Sequence, residues 1–212
     1  MKHLKTFFIA GMLALGSSMN SSAQCIDKFG MSGSYSRVSQ VWGNDQGLHG
    51  FKKEPLHSLS AFFFVESYLS RSFSLRSQLG YQGAGYAGIR IHQLALDMSL
   101  KTYLGGNDVR PYLFGGMRGG YILDVTIIDQ GDYGAEIDAD NFNSSSFSAL
   151  AGLGIELDQR LSIETELNLG FTRSFHYENT HGYDRGISFR LGYSFIRPGV
   201  CRSKHIGITP LF

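Results

Sequence analysis

The stretch that decides the fold is Leu161–Phe171, LSIETELNLGF. Apolar side chains occupy its odd positions, interrupted only by Thr165, and polar or small residues occupy its even positions. A side-chain period of two predicts a β-strand, and about 9–11 residues are what a tilted strand needs to cross a bilayer. One face of this strand is therefore apolar, whereas the other carries Glu164 and Glu166.

Seven other segments have strand character, and most of them alternate in the same way. We place them at about 28–41, 58–68, 73–81, 93–104, 111–125, 147–157 and 187–195. The longer connections 42–57, 82–92, 126–146 and 174–186 alternate with tight turns at 69–72, 105–108 and 158–160. Long loops at one end, short turns at the other and an even number of strands are typical of outer-membrane barrels.

The polar faces of these strands carry charges of both signs that nearly cancel. They are Glu66, Arg76, Asp97, Lys101, Arg118, Glu156, Glu164, Glu166 and Arg190. Burying them unpaired in a soluble core would be costly, whereas a membrane barrel turns its apolar face to lipid and lets the charges meet inside. We predict an all-β fold, an eight-stranded antiparallel up-and-down transmembrane β-barrel. The alternative is a secreted barrel or sandwich with its polar face in water.

This interior network has two interpretations. It is either a proton or ion path or a structural set of salt bridges that fills the lumen, and we favour the second. Eight strands enclose a space just wide enough for side chains to fill. A wide diffusion pore is therefore not expected.

The first residues have the pattern of a signal peptide, which we place at residues 1–23. A charged start precedes the apolar run 7–15 and a small-residue cleavage site that ends at Ala23. The run is too short for a membrane anchor, and the residues before Cys25 do not form a lipobox. Without Lys2 and Lys5 the remaining residues, 24–212, carry one more acidic than basic side chain. That balance gives no electrostatic footprint for nucleic acid.

Two stretches resemble a known family. Leu94–Asp124 contains LALDMSLKTYLG followed by RPYLFGGMRGGYILD, and Leu150–Thr172 forms a glycine-rich hairpin. These motifs resemble the PorT-like outer-membrane β-barrel proteins of the Bacteroidetes. The resemblance implies a barrel in the bacterial outer membrane, and the family's founding member is a component of a secretion system. It implies no catalytic residues.

The last strand ends near Phe195, and residues 197–212 follow it. We predict a periplasmic tail there, the alternative being that the tail packs back onto the barrel. Cys25 precedes the first strand and Cys201 follows the last, and these strands are neighbours in a closed antiparallel barrel. Both cysteines lie at the short-turn end, which faces the periplasm, where disulfides form. We predict a bridge between them. The alternative is two free thiols, because the sequence does not establish their separation.

Three further groups of polar residues were weighed as sites. His176, Glu178, His181 and Asp184 are read as an ordinary polar loop rather than a surface metal site. The acidic residues between 129 and 140 lack the calcium-loop spacing, and the alternative for them is divalent bridging to lipopolysaccharide. His92 and His176 lie near strand ends, but no motif selects a serine for a lipase. We predict no catalytic residue, cofactor or metal.

The predicted function is a non-enzymatic scaffold or docking role in protein secretion or envelope integrity. The alternatives are a narrow channel or carrier for small solutes or lipids and, third, an outer-membrane lipid-modifying enzyme. The expected partners are outer-membrane lipid, lipopolysaccharide and secretion-system or envelope proteins.

Overall fold

The computed structural model describes residues 26–43, 55–86, 89–105, 108–127, 142–172, 175–177 and 180–196. These ranges contain nine strands, which are β1 Lys28–Gly43, β2 Leu56–Tyr68, β3 Phe73–Tyr86, β4 Ile89–Tyr103, β5 Val109–Ile127, β6 Ser145–Leu157, β7 Leu161–Gly170, β8 Phe175–Tyr177 and β9 Thr180–Ser194. No helix within these ranges is long and apolar enough to cross a membrane. The predicted signal peptide and the predicted tail 197–212 lie outside the described residues.

Eight of the strands close into an antiparallel barrel. Each strand pairs with the next along the chain as far as β7, which pairs with β9, and β9 pairs with β1. The short strand β8 pairs only with the start of β9. Closure gives every barrel strand a hydrogen-bonded neighbour on both sides, so the barrel wall presents no free edge to lipid.

The register of the strands sets the tilt and the width of the barrel. A circuit through paired residues that starts at Lys28 returns to β1 at Val38, ten residues further on, by way of Glu66, Arg76, Ser99, Gly116, Leu150, Asn168 and Gly186. With strands about 4.8 Å apart and a rise of about 3.3 Å per residue, this offset corresponds to a tilt of about 40°. The resulting interior holds side chains but no wide channel.

The outer surface of the barrel is apolar, and its interior is polar. On the outer face Leu59 is 72% exposed, and Met117 and Leu153 are 62% and 60% exposed. Inside, Asp97 and Glu166 are fully buried. An apolar surface of this kind is stable only against hydrocarbon, which confirms the membrane barrel and excludes the secreted alternative in which the polar face meets water.

Two predicted connections are wrong because the strands extend beyond the apolar pattern. The predicted loop 82–92 is mostly strand, since β3 runs to Tyr86 and β4 begins at Ile89. The predicted loop 174–186 contains β8 and the first part of β9. The outward side chains in these extensions are polar, as at Arg90 and Arg185. The apolar alternation stops at the edge of the hydrocarbon, whereas the hydrogen-bonded ladder continues past it.

A β-bulge near the loop end of β5 changes which of its side chains point outward, so the predicted orientation is wrong there. The alternation in the sequence 111–125 predicts that Val125 points outward with Leu123, and that Asp124 points inward with Arg118. The register shifts between His92 and Gln93 of β4, which pair with Asp124 and Ile122, so that Leu123 is an extra residue. An extra residue reverses the side-chain alternation beyond it. Asp124 is therefore exposed, and Val125 follows the inward register.

Candidate functional site: the charged barrel interior

The layer of the lumen nearest the short turns is built around two carboxylates. Glu66 accepts a hydrogen bond from Lys101 Nζ at 3.0 Å and from the Tyr103 hydroxyl at 2.7 Å. Lys28 Nζ lies 2.5 Å from Glu156, and the same Tyr103 oxygen lies 3.0 Å from Glu156. All five side chains are at most 5% exposed. Tyr103 thereby links two ion pairs that come from four different strands.

Glu164 organises the middle layer. Arg76 contacts both of its carboxylate oxygens, with Nη2 to Oε2 at 2.9 Å, and the Tyr112 hydroxyl donates to Oε1 at 2.5 Å. Lys101 and Arg190 stand 3.8 and 3.6 Å away. A paired arginine–carboxylate contact with two parallel hydrogen bonds is among the strongest polar interactions in proteins.

Two arginines and two acids form the layer nearest the long loops. Arg118 donates to Asp97 through Nε at 2.6 Å and Nη2 at 2.7 Å, and it reaches Glu166 at 3.0 Å. Arg190 lies 2.9 Å from Glu166 and 3.7 Å from Asp97. Because Arg190 also faces Glu164, it connects this layer with the middle one.

Aromatic rings fill the space between the charged layers. Phe62 lies inward at 1% exposure, with the guanidinium carbons of Arg118 and Arg190 at 5.5 and 5.2 Å from its ring centre. Arg110 lies 3.9 Å from the ring centre of Tyr103. These cation–π contacts explain why the Phe62–Phe64 run blurs the alternation. Phe62 and Phe64, the first and third residues of the run, point into the lumen.

Glycines on the facing strands make room for these rings. A Cβ atom on Gly152 would lie 2.4 Å from Phe114 Cζ, and one on Gly154 would lie 2.7 Å from Tyr112 Cζ. Gly80 is similarly placed against Phe62. The many glycines of the chain are thus partly a packing requirement of the plugged interior.

The structure places all nine predicted lumen charges inside the barrel, where a single network joins them. Sequence reasoning missed Lys28 and Arg110, which also point into it. Lys28 lies at the edge of its strand, and Arg110 precedes the predicted start of its strand, so neither showed the alternation that revealed the others. Strand parity would have found both, because Lys28 is the first residue of its predicted strand and Arg110 lies one residue before the start of its own.

The other predicted sites fall largely outside the described residues. These include Cys25, Cys201, Glu178 and the acidic segment between 129 and 140. The strands that flank the two cysteines do pair, with the rings of Phe29 and Phe195 5.8 Å apart.

The histidines weighed as candidates lie on strands. His176 and His181 are opposite each other on β8 and β9, in a hairpin rather than a loop. His92 Nδ1 is hydrogen-bonded to the hydroxyl of Tyr81 on the outer face. In the described part of the chain, no group of His, Cys, Asp and Glu is arranged to hold a metal ion.

Several solved barrels resemble this chain at low identity. Neisserial surface protein A is 8% identical with a TM-score of 0.48, covering 79% of this chain and 97% of its own. The outer membrane protein OprG from Pseudomonas aeruginosa is 12% identical with a TM-score of 0.47, covering 80% and 96%. The outer membrane enzyme PagL is 11% identical with a TM-score of 0.44, covering 76% and 98%.

The family assignment rests on a match to a family sequence model and not on the similarity to these solved structures. No curated protein matches the chain. The model of the outer membrane protein beta-barrel domain matches residues 8–195, which is most of the sequence. Together with the closed eight-stranded barrel and its apolar outer surface, this match places the protein in the bacterial outer membrane. The chain belongs to the outer membrane protein beta-barrel domain family.

Proposed function

We propose that this protein is a non-enzymatic scaffold or docking barrel of the outer membrane, acting in protein secretion or envelope integrity. The observation that carries the proposal is the interior, which is filled by interlocked ion pairs and aromatic rings. A barrel whose lumen is occupied by its own side chains offers its two rims as the surfaces on which other proteins dock.

The charge network makes passage through the lumen costly. The cavity above Arg118, lined also by Gln93 and Asn168, has a volume of about 10 Å³, enough for about one water molecule. A solute would have to separate the Arg118–Asp97 and Arg76–Glu164 contacts in turn. Separating such a pair is costly, because a buried charge that loses its partner is left uncompensated.

The finer assignment to the PorT-like branch is part of the same proposal. The stretch LALDMSLKTYLG contributes Asp97, Lys101 and Tyr103 to the lumen, and the following stretch contributes Tyr112 and Arg118. The motif on which the resemblance rests therefore coincides with the interior plug. This supports a plugged barrel over a solute channel.

Conductance of the purified protein in planar bilayers tests the closed lumen. We expect no discrete steps above the lipid baseline, with a large porin as the positive control. Regular unitary steps with a defined ion selectivity would instead establish the channel alternative.

Photo-cross-linking in intact cells tests the docking role. A cross-linker is placed at Arg71 or Leu104 in the short turns and, as the matched control, at lipid-facing Leu153. We expect a discrete protein adduct from the turn positions and none from Leu153. Absence of an adduct from both turns and from a series of positions in the long loops would contradict the scaffold.

A further inference from the structure

The outer wall carries two arginines at the loop end of adjacent strands. Arg37 on β1 and Arg185 on β9 both point outward and are exposed. Ten residues separate Arg185 from Phe195 at the turn end of the wall. At about 3.3 Å per residue and a tilt of about 40°, that distance is about 25 Å along the membrane normal. It equals the height of the apolar band in outer-membrane barrels, so Arg185 lies at the outer boundary of the hydrocarbon.

The register places the two arginines beside each other on the outer wall. Arg185 pairs with Ser39 and Arg37 pairs with Ile187, so the arginines are diagonal neighbours across the β1–β9 pair. Diagonal neighbours across an antiparallel pair are about 7–8 Å apart, which is within reach of long side chains. Both arginines line the same groove of the outer wall.

In the part of the chain that the structure describes, these two cations have no acidic neighbour on the outer wall. Within the described residues, no outward position of β7, β9, β1 or β2 carries a carboxylate, and no ion pair involves Arg37 or Arg185. Two like charges placed side by side repel each other unless an anion lies between them. An arginine pair offers several N–H donors to the oxygens of one phosphate.

The two arginines line an apolar groove that continues toward the middle of the membrane at Leu167 and Ile187. The groove encloses about 460 Å³ and is lined by Arg37, Ser39, Leu167, Leu169, Arg185 and Ile187. Leu167, Leu169 and Ile187 are 46%, 47% and 56% exposed. A ligand that fits this site has a phosphate at the height of the arginines and hydrocarbon chains directly below it.

We propose that Arg37 and Arg185 form a binding site for a phosphorylated glycolipid of the outer leaflet, of the lipid A type. The phosphate binds between the two guanidinium groups, and the acyl chains lie along the leucines and Ile187. The site depends on the position of the barrel in the membrane and goes beyond the proposed scaffold role. If the scaffold role is wrong, the proposed lipid site is unaffected.

Binding of fluorescent diphosphorylated lipid A to the purified protein in detergent tests this site. Each surface arginine contributes roughly a fivefold change in affinity, so R37Q/R185Q should bind lipid A about 30-fold more weakly. The matched control is R90Q, which removes another outward arginine at the loop end, on β4. We expect R90Q to bind like the unchanged protein, and all variants to keep the heat-modifiable gel shift of a folded barrel.

Two further ligands show whether the site recognises the phosphate of a lipid or any phosphate ion. Dephosphorylated lipid A should bind the unchanged protein as weakly as diphosphorylated lipid A binds R37Q/R185Q. Inorganic phosphate at millimolar concentration should not displace the labelled lipid. Equal binding by R37Q/R185Q, or by dephosphorylated lipid A, would overturn the proposal, and efficient displacement by inorganic phosphate would show a general anion site instead.

Discussion

At the scale of single residues, the interior depends on carboxylates that each serve several cations. Glu164 meets Arg76, Lys101 and Arg190 and also accepts the Tyr112 hydroxyl. Removing one such acid leaves several buried cations short of a partner, and an uncompensated buried charge is far more costly than a lost surface pair.

We therefore expect E164Q to lower the free energy of unfolding by about 3–5 kcal/mol. Urea unfolding from lipid vesicles, followed by the heat-modifiable gel shift, measures this loss. T165S is the matched control, because Thr165 is the next residue on β7 and is exposed on the outer face. A loss below about 1 kcal/mol for E164Q would mean that the network fills the lumen without holding the barrel together.

Adjacent glycines in β5 provide a second test at this scale. A Cβ atom on Gly116 would lie 2.1 Å from the Met98 carbonyl oxygen and 2.7 Å from Ser99 Cα, whereas one on Gly115 meets nothing closer than 3.8 Å. Because backbone atoms cannot move aside easily, G116A should cost about 1–3 kcal/mol of stability and G115A very little. Equal unfolding midpoints for the two variants would show that the wall adjusts to the extra atom.

At the scale of the strand, β5 crosses the whole membrane and shows how depth decides the cost of a charge. Met117 lies near its middle and is 62% exposed, and Leu123 lies at the bulge near the loop end and is 58% exposed. The two positions have nearly the same exposure, so they differ mainly in their distance from water.

We expect M117R to cost about 2–4 kcal/mol and L123R about 0–1 kcal/mol, since an arginine near the interface reaches water. The measurement is urea unfolding from vesicles of defined thickness. If L123R is as costly as M117R, the apolar band extends further toward the loops than the arginines at 37 and 185 indicate.

At the scale of the whole molecule, the barrel closes where the first and last strands meet. The β1–β9 pair runs from Gly30 opposite Ser194 to Gly43 opposite His181. The predicted Cys25–Cys201 bridge would join the chain at the turn end of this pair. Such a link restrains the unfolded chain and typically adds about 2–4 kcal/mol.

We expect unboiled and boiled samples to migrate differently and the boiled band to shift again when reductant is added. C25S and C201S should each migrate like the reduced protein, and peptide mass spectrometry should find the linked pair. Free thiols in freshly isolated outer membranes would rule the bridge out.

The sequence by itself determined the architecture and most of the charges in the lumen. The alternation of apolar and polar side chains indicates which face of each strand meets lipid. This alternation was enough to predict the eight barrel strands and the nine interior charges from Glu66 to Arg190. It also predicted that β1 and the last strand are neighbours, because an antiparallel chain of even strand number closes in only that way. These features depend on local alternation, which is visible in one dimension.

Only the tertiary structure decided which charges touch, where the strands end and which outward side chains meet. The Arg76–Glu164 and Arg118–Asp97 contacts depend on the ten-residue offset around the barrel, which is the sum of all strand registers and leaves no trace in any one strand. The bulge at Leu123 reverses the alternation without changing the composition. The juxtaposition of Arg37 and Arg185 likewise exists only once closure brings β1 beside β9, because residues far apart in the chain become diagonal neighbours through register alone.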